Sequence, residues 1–193
     1  MCKIIVMANQ KGGVAKTSST RNLAYSLAEL GKKVLAVDFD PQTNLTISFG
    51  VAPAALQETA ASLMMKLVMD EALPEKASYI LNIGKVDLLP SKKTLTVAEV
   101  NLLIERKDDC LAKLLAPLRA DYDYILVDTG PSLGSLTINA FTAADEIIIP
   151  VDPELFALVG LKELTETISK IKQNLNPKVE IIGILFTKCS KRT

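Results

Sequence analysis

The chain has 193 residues, 49% of them hydrophobic and 23% charged, the make-up of one folded domain with a sizeable core. Its 22 basic and 22 acidic residues cancel, so no overall charge draws it to nucleic acid or a membrane, and any such contact has to be local. It contains no histidine, which excludes His-based triads, His-ligated zinc and imidazole proton shuttles and leaves chemistry to carboxylates, lysines and backbone.

In chain order, a strand is predicted over Lys3–Ala8, followed by a helix that starts near Lys16, carries Leu23, Ala24, Leu27, Ala28 and Leu30, and stops at Gly31. A second strand spans Lys33–Asp38 and a helix Thr59–Asp70, where Met64, Met65 and Met69 read as packing residues. Residues 51–85 otherwise give little pattern. Next come a strand at Val86–Leu89, a helix over Asp108–Leu118, a strand at Tyr124–Asp128 and a helix over Ser132–Ala143. A strand at Glu146–Pro150, a helix over Glu154–Asn174 and a strand at Ile181–Thr187 complete the series. The strands are continuous apolar runs rather than alternating ones, as expected of a mostly parallel sheet covered on both faces by helices. The fold class is therefore α/β. Only residues 188–193 follow the last strand, where such a sheet is ordinarily closed by another helix.

Cys2, Cys110 and Cys189 are too scattered for a disulfide framework or a CxxC metal site, so core filling in a reducing compartment is expected. The N-terminal MCKIIVMANQ holds only a short apolar run, and no later stretch approaches the length of a membrane span, which points to a cytoplasmic protein.

The chemistry concentrates where the first strand meets the first helix, in Asn9-Gln10-Lys11-Gly12-Gly13-Val14-Ala15-Lys16-Thr17-Ser18. Strand, Gly-rich turn and helix together form a phosphate cradle. Gly12 and Gly13 let backbone N–H groups turn inward, the helix start adds partial positive charge, Lys16 can reach β and γ phosphate oxygens, and the Thr17 hydroxyl can ligate Mg²⁺. The standard GxxxxGK[ST] pattern is not met, because Gln10 and Ala15 occupy both glycine positions; a Gly-rich turn capped by Thr17 and Ser18 is the alternative. Context favours phosphate binding. The second strand ends in Asp38-Phe39-Asp40 and the fourth in Asp128-Thr129-Gly130, and the carboxyl ends of parallel strands face the same crevice as the loop. Hard oxygen ligands beside a cradle suit magnesium and phosphate.

With these segments assembled, the chain resembles the ParA/MinD family of deviant P-loop ATPases, the partition and cell-division group that includes the nitrogenase iron protein. The resemblance runs from Lys3 to about Thr187 through NQKGGVAKTS, DFDPQTN, LLPS at Leu88–Ser91, ILVDTGPSLG and VDPELFALVGL at Val151–Leu161. NQKGG and DPQ are most similar to the partition branch. The resemblance implies a single P-loop ATPase domain over 1–193 that lacks the family's C-terminal closing elements. It further implies that Lys11 is the signature lysine reaching across an ATP-sandwiched homodimer and that Lys16 is the ordinary P-loop lysine. Gly12 to Ser18, including Val14 and Ala15, would wrap the phosphates, with Ser18 on the α-phosphate. Thr17 would ligate Mg²⁺, Asp38 and Asp128 would support the metal through water, and Asp40 would position the attacking water. Gly130 and Pro131 would form a switch segment. The implied activity is slow ATP hydrolysis driving plasmid or chromosome partition with a ParB-like, DNA-bound partner.

Two departures bear on this. Ala15 stands where the family has Gly, and if φ is positive there it costs on the order of 1 kcal/mol. Set against the family pattern, much of its nonspecific DNA surface and the MinD-type membrane helix are expected to be absent from residues 1–193. Lys188, Lys191 and Arg192 make only a small basic cluster, a poor DNA footprint and more in keeping with a solvated tail. The cysteines do not lie where an iron protein holds its cluster. A nucleotide-binding regulator or scaffold of poor hydrolytic power is therefore the alternative, and a P-loop enzyme acting on a small molecule is a third reading that the trans role of Lys11 disfavours.

Overall fold

The computed structural model describes residues 2–153 and 157–189. Seven strands form one sheet: β1 (Lys3–Met7), β2 (Val34–Phe39), β3 (Leu81–Ile83), β4 (Val86–Leu89), β5 (Tyr124–Thr129), β6 (Glu146–Val151) and β7 (Glu180–Phe186). Their order is β3-β4-β2-β5-β1-β6-β7, and every neighbouring pair is parallel except β3 with β4. The helices are α1 (Lys16–Glu29), α2 (Asn44–Ser48), α3 (Ala60–Val68), α4 (Leu95–Ile104), α5 (Cys110–Leu115), α6 (Ser135–Ala143) and α7 (Ala157–Asn174).

The apolar runs divide by parity. Ile4, Val6, Leu35, Val37, Ile125 and Val127 pack into one core with residues of α3 to α7, while Ile5, Ala36 and Leu126 pack into a second with Ala24 and Ala28 of α1 and Leu45 of α2. Because successive strand side chains point to opposite faces, a strand buried on both faces has to be apolar throughout. This is why the strands read as continuous runs.

Each predicted strand lies within a residue of an observed one. The predicted helices begin or end up to three residues away, and the segment expected over Asp108–Leu118 breaks into α5 and a 3₁₀ turn at Pro117–Ala120. The helix expected from Glu154 is described from Ala157, residues 154–156 lying outside the described residues. Met64 is fully buried, whereas Met69 caps the end of α3 and is 56% exposed, so it does not pack as expected. Three elements have no predicted counterpart: α2, α4 and the antiparallel edge strand β3. The stop at Gly31 is realised with φ 77°, the Lys32 N–H donating to the Leu27 carbonyl and the Gly31 N–H to that of Ala28, which satisfies the last carbonyls of α1. Cys2 and Cys110 are buried, as expected of core filling, and Cys189 is exposed. Among the described residues no helix is long and apolar enough to cross a membrane.

Candidate functional site

β1 is flanked by β5 and β6, and the loop after it opens at the carboxyl edge of the sheet between chain segments that depart in opposite directions. That is where an open α/β sheet leaves a crevice. Asn9 shapes the loop from inside. Its side-chain N–H donates to the Pro150 carbonyl on β6 (2.6 Å), and its Oδ1 accepts the Lys11 N–H (2.9 Å). Gly12 and Gly13 are exposed, Gly13 with φ 73°, so their N–H groups border open space.

Ala15 takes φ 63° and ψ 29° as the N-cap of α1, in the left-handed region that an L-residue with a Cβ disfavours by about 1–2 kcal/mol. The positive φ considered from sequence is therefore present. No side chain caps α1, which leaves its first N–H groups without intrahelical acceptors and rules out the Thr17 and Ser18 capped turn. Uncapped N–H groups at a helix start, next to a glycine turn, are suited to an anion.

Lys16 is only 7% exposed, and its Nζ donates to the carbonyls of Asn9 (2.9 Å) and Lys11 (3.2 Å). Burial lowers its pKa from the ordinary lysine value, against the opposing pull of Asp128 and Asp40. Among the described residues the ammonium is thus held under the loop by main-chain oxygens.

Beneath the loop, Asp38 on β2 and Asp128 on β5 stand side by side in register, both fully buried. Their environments differ. Asp38 Oδ2 accepts the Thr46 N–H (2.8 Å) and hydroxyl (2.6 Å), and Oδ1 accepts the Asp40 N–H (3.2 Å). Burial still pushes its pKa up to about 6. Neither oxygen of Asp128 has a hydrogen-bond partner among the described residues; the Thr17 hydroxyl stands beside it without closing a bond. Burial pushes its pKa up to about 8, with Asp38 and Asp40 adding to the rise and Thr17 and Lys16 opposing it. A buried carboxylate in that condition calls for a cation or ordered water. Among the described residues no three acidic or thiol groups cluster as a self-sufficient metal cage, so a metal here would rely on Thr17, water and phosphate oxygens, the arrangement magnesium prefers.

Above these residues lies a cleft of about 560 Å³, lined by Gly12, Gly13 and Ala15 to Ser18 on one wall, by Asp40, Gln42 and Asn44 on another, and by Pro131 and Lys188. Gly130 passes so close to Asp40 that an added Cβ would lie 3.2 Å from its Oδ1, so only glycine allows this approach without displacing the carboxylate.

Of the residues expected at the site, Gly12, Gly13, Ala15, Lys16, Thr17, Ser18 and Asp40 line the cleft, and Asp38 and Asp128 lie fully buried behind that lining, Asp128 beside Thr17 and Lys16. Val14 does not face it: the side chain is buried, and only the main chain belongs to the loop. Lys11 is half-buried at the start of the loop and outside the cleft lining. Asn9, Thr46, Gln42, Asn44 and Lys188 had no role assigned from sequence. Lys188 corrects the solvated-tail expectation, since it borders the cleft; Lys191 and Arg192 lie outside the described residues. Its position was foreshadowed by the rule that located the carboxylates, because it follows the carboxyl end of a parallel strand.

A family model described as an AAA domain matches residues 2–181. An uncharacterized protein of Mycobacterium tuberculosis is 42% identical over 194 residues, covering 99% of this chain. The chain spans 59% of that relative's length. The chromosome partitioning protein ParA of Myxococcus xanthus is 39% identical over 191 residues, covering 98% of this chain and 66% of that protein. Among solved structures, cobyrinic acid a,c-diamide synthase of Mycobacterium smegmatis, with a bound ATP analogue and magnesium, superimposes with a TM-score of 0.92 at 35% identity, covering 100% of this chain and 78% of that one.

Proposed function

Because this chain belongs to the ParA/MinD-like family of P-loop proteins with an AAA domain, we propose that it binds ATP with Mg²⁺ in the cleft, forms a nucleotide-sandwich homodimer and hydrolyses ATP slowly in the service of plasmid or chromosome partition. A ParB-like protein bound to DNA is the partner this reading implies. The observation that carries it is the pairing of an uncapped, glycine-lined helix start with the unpartnered buried carboxylate of Asp128, a cradle for phosphate above a place for a cation.

In this reading the N–H groups of Gly12 to Ser18 bind phosphate oxygens, and Lys16 exchanges its two carbonyl partners for them. Thr17 would offer a bound metal its hydroxyl, and Asp128 would support that metal through water. Asp38, its oxygens already engaged by Thr46 and Asp40, fixes the end of β2 against α2. Magnesium, when bound, neutralises charge on the phosphate oxygens. Asp40 orients water in line with the terminal phosphate, and Gly130 and Pro131 close against it. Lys11 reaches the phosphates held by the second copy. Catalysis then rests on positioning and charge neutralisation, without histidine.

Size-exclusion chromatography with and without ATP and Mg²⁺ tests this. The wild type is expected to shift to a dimer with nucleotide, Lys16→Ala to remain monomeric, and Asp40→Ala to dimerise without turnover. A nucleotide-indifferent monomer in all three would overturn it. One observation favours a second reading, a nucleotide-dependent regulator of poor hydrolytic power: Ala15 holds a left-handed conformation that its Cβ disfavours, at the centre of the loop. ATP-dependent dimerisation with no turnover, even with DNA and partner protein present, would select it.

A further inference from the structure

We propose that Lys188 is a third lysine of the polyphosphate site, oriented by Asp152 and anchored through Thr187 to the phosphate loop. This rests on the nucleotide reading given above and adds a binding residue to it.

The placement comes from the sheet. β7 runs parallel to β6, pairing Val151 with Phe186, and one further ladder bond follows, from the Thr187 N–H to the Val151 carbonyl (2.8 Å). The Thr187 hydroxyl lies within reach of two carbonyls, Val14 in the phosphate loop (3.2 Å) and Val151 (3.3 Å). The end of the last strand is therefore fastened to the loop that starts α1, and the next residue, Lys188, starts from that anchor.

Backbone conformation supports a built position. Five non-glycine residues take positive φ among those described: Ala15, Thr43, Asp70, Arg106 and Lys188. Asp70 and Arg106 directly follow the caps of α3 and α4, where a left-handed residue is an ordinary helix stop. The other three sit at the carboxyl edge of the sheet, Ala15 and Thr43 as the N-caps of α1 and α2 and Lys188 after β7, where no helix stop accounts for them. Lys188, at φ 55°, is held against its own preference, and such conformations persist where surrounding contacts fix them.

The side chain then lies along the cleft. Its Nζ is 4.0 Å from where a Cβ on Gly13 would stand, beside the glycine turn of the loop. It is paired at 3.2 Å with Asp152, whose side chain is 10% exposed, while that of Lys188 is 57% exposed. An ammonium has three N–H donors, and the carboxylate engages one side of it, leaving donors for a phosphate oxygen while Asp152 keeps its partner. A lysine serving only to staple two strand ends has no need of a strained backbone facing a phosphate loop.

Nucleotide titration of the full chain tests this, with ATP, ADP and adenosine as probes and the thermal midpoint of each nucleotide-free variant recorded. Lys188→Met keeps the aliphatic stem and removes the charge. It is expected to weaken ATP and ADP by about three- to tenfold, as for loss of one charge-assisted phosphate contact, and to leave adenosine unchanged. Lys188→Arg is expected to bind ATP within about twofold of the wild type. Equal ATP affinity in Lys188→Met and wild type, with only the thermal midpoint lowered, would make the residue a strand staple and overturn the inference. An equal loss for adenosine and ATP would overturn it too, since no phosphate contact acts on both. A wild type that binds none of the three removes the nucleotide reading itself, and the inference with it.

Discussion

The two ends of the parallel strands are built on opposite principles. At the amino edge, polar groups are matched. Asp145 accepts the Ile4 N–H (2.7 Å) and an N–H of Arg119 Nη2 (3.0 Å), while Arg119 Nη1 pairs with the same carboxylate at 3.0 Å and donates to the Cys2 carbonyl (3.1 Å). Asp123 accepts the Lys33 N–H (2.9 Å), and Asp87 accepts from Tyr122 (2.6 Å) and Asn82 (2.8 Å). At the carboxyl edge, among the described residues, Asp128 is buried without a hydrogen-bond partner, Lys16 is held by main-chain carbonyls, and Ala15, Thr43 and Lys188 take left-handed conformations. Unmet polar groups and backbone strain both cost stability, so the unpartnered Asp128 together with three left-handed residues that are not helix stops marks the carboxyl edge as where the fold gives up stability for a ligand.

If so, removing a charge has edge-dependent consequences. The largest effect is expected for Lys16→Ala, which takes away a buried ammonium with two hydrogen bonds. ATP affinity falls about 100-fold, or about 2.7 kcal/mol, in line with charge-assisted bonds in a buried setting. Titration with ATP and Mg²⁺ measures it, and a loss under about fivefold would show that the loop does not use this lysine.

The mirror experiment is Arg119→Ala. It leaves the half-buried carboxylate of Asp145 with the Ile4 N–H alone, lowering stability by about 1–2 kcal/mol and the thermal midpoint by roughly 4 °C, while ATP affinity stays within error. A substantial loss of ATP binding in this variant would break the distinction between the edges.

How far this division could be read beforehand follows from its physical origin. The strands were legible because burial on both faces forces uninterrupted apolar runs, and the strand-ending aspartates at 38 and 128 followed from the crevice rule. α4 was not legible. TLTVAEVNLLI is apolar all round, with Leu95, Ala98 and Leu102 buried while Val97, Val100, Leu103 and Ile104 are exposed, so no helical period stands out. β3 escaped because three residues on a hairpin through Gly84 carry too little pattern. Thr46 was silent for a different reason, and of Lys188 only its place after a parallel strand could be read, not its contacts. Thr46 acquires its role by bridging Asp38 and the Ser91 N–H, and Lys188 acquires its own from Thr187 and Val14, contacts 45 and 173 positions apart in the chain. No local spacing encodes them.

A third test titrates the unmatched carboxylate. The pKa of Asp128 lies above its ordinary value, so between 3.8 and about 8 the folded chain holds a proton that the unfolded chain has released. Stability from this group is highest at low pH and falls as pH rises through that window, with Asp38 adding a smaller loss between 3.8 and about 6. Asp128→Asn removes the larger share. The nucleotide-free variant is expected to melt about 2–4 °C above the wild type at pH 8.5, an offset that shrinks toward pH 5. A pH-independent offset would show that packing, not charge, sets the difference.

The smallest effect on stability, and the sharpest test of the strained loop, is Ala15→Gly. Relief of the left-handed conformation is worth about 1–2 kcal/mol, and the greater freedom of glycine in the unfolded chain takes back about 0.5–1 kcal/mol, so the melting midpoint moves up only slightly. The function of the loop responds more. Removing the methyl frees the backbone one residue before Lys16, where phosphate and the second copy are proposed to approach, so dimerisation and turnover rise in the glycine variant. If affinity, dimerisation and turnover all match the wild type while the midpoint rises slightly, the strain at Ala15 is a local cost of the fold with no part in the cycle.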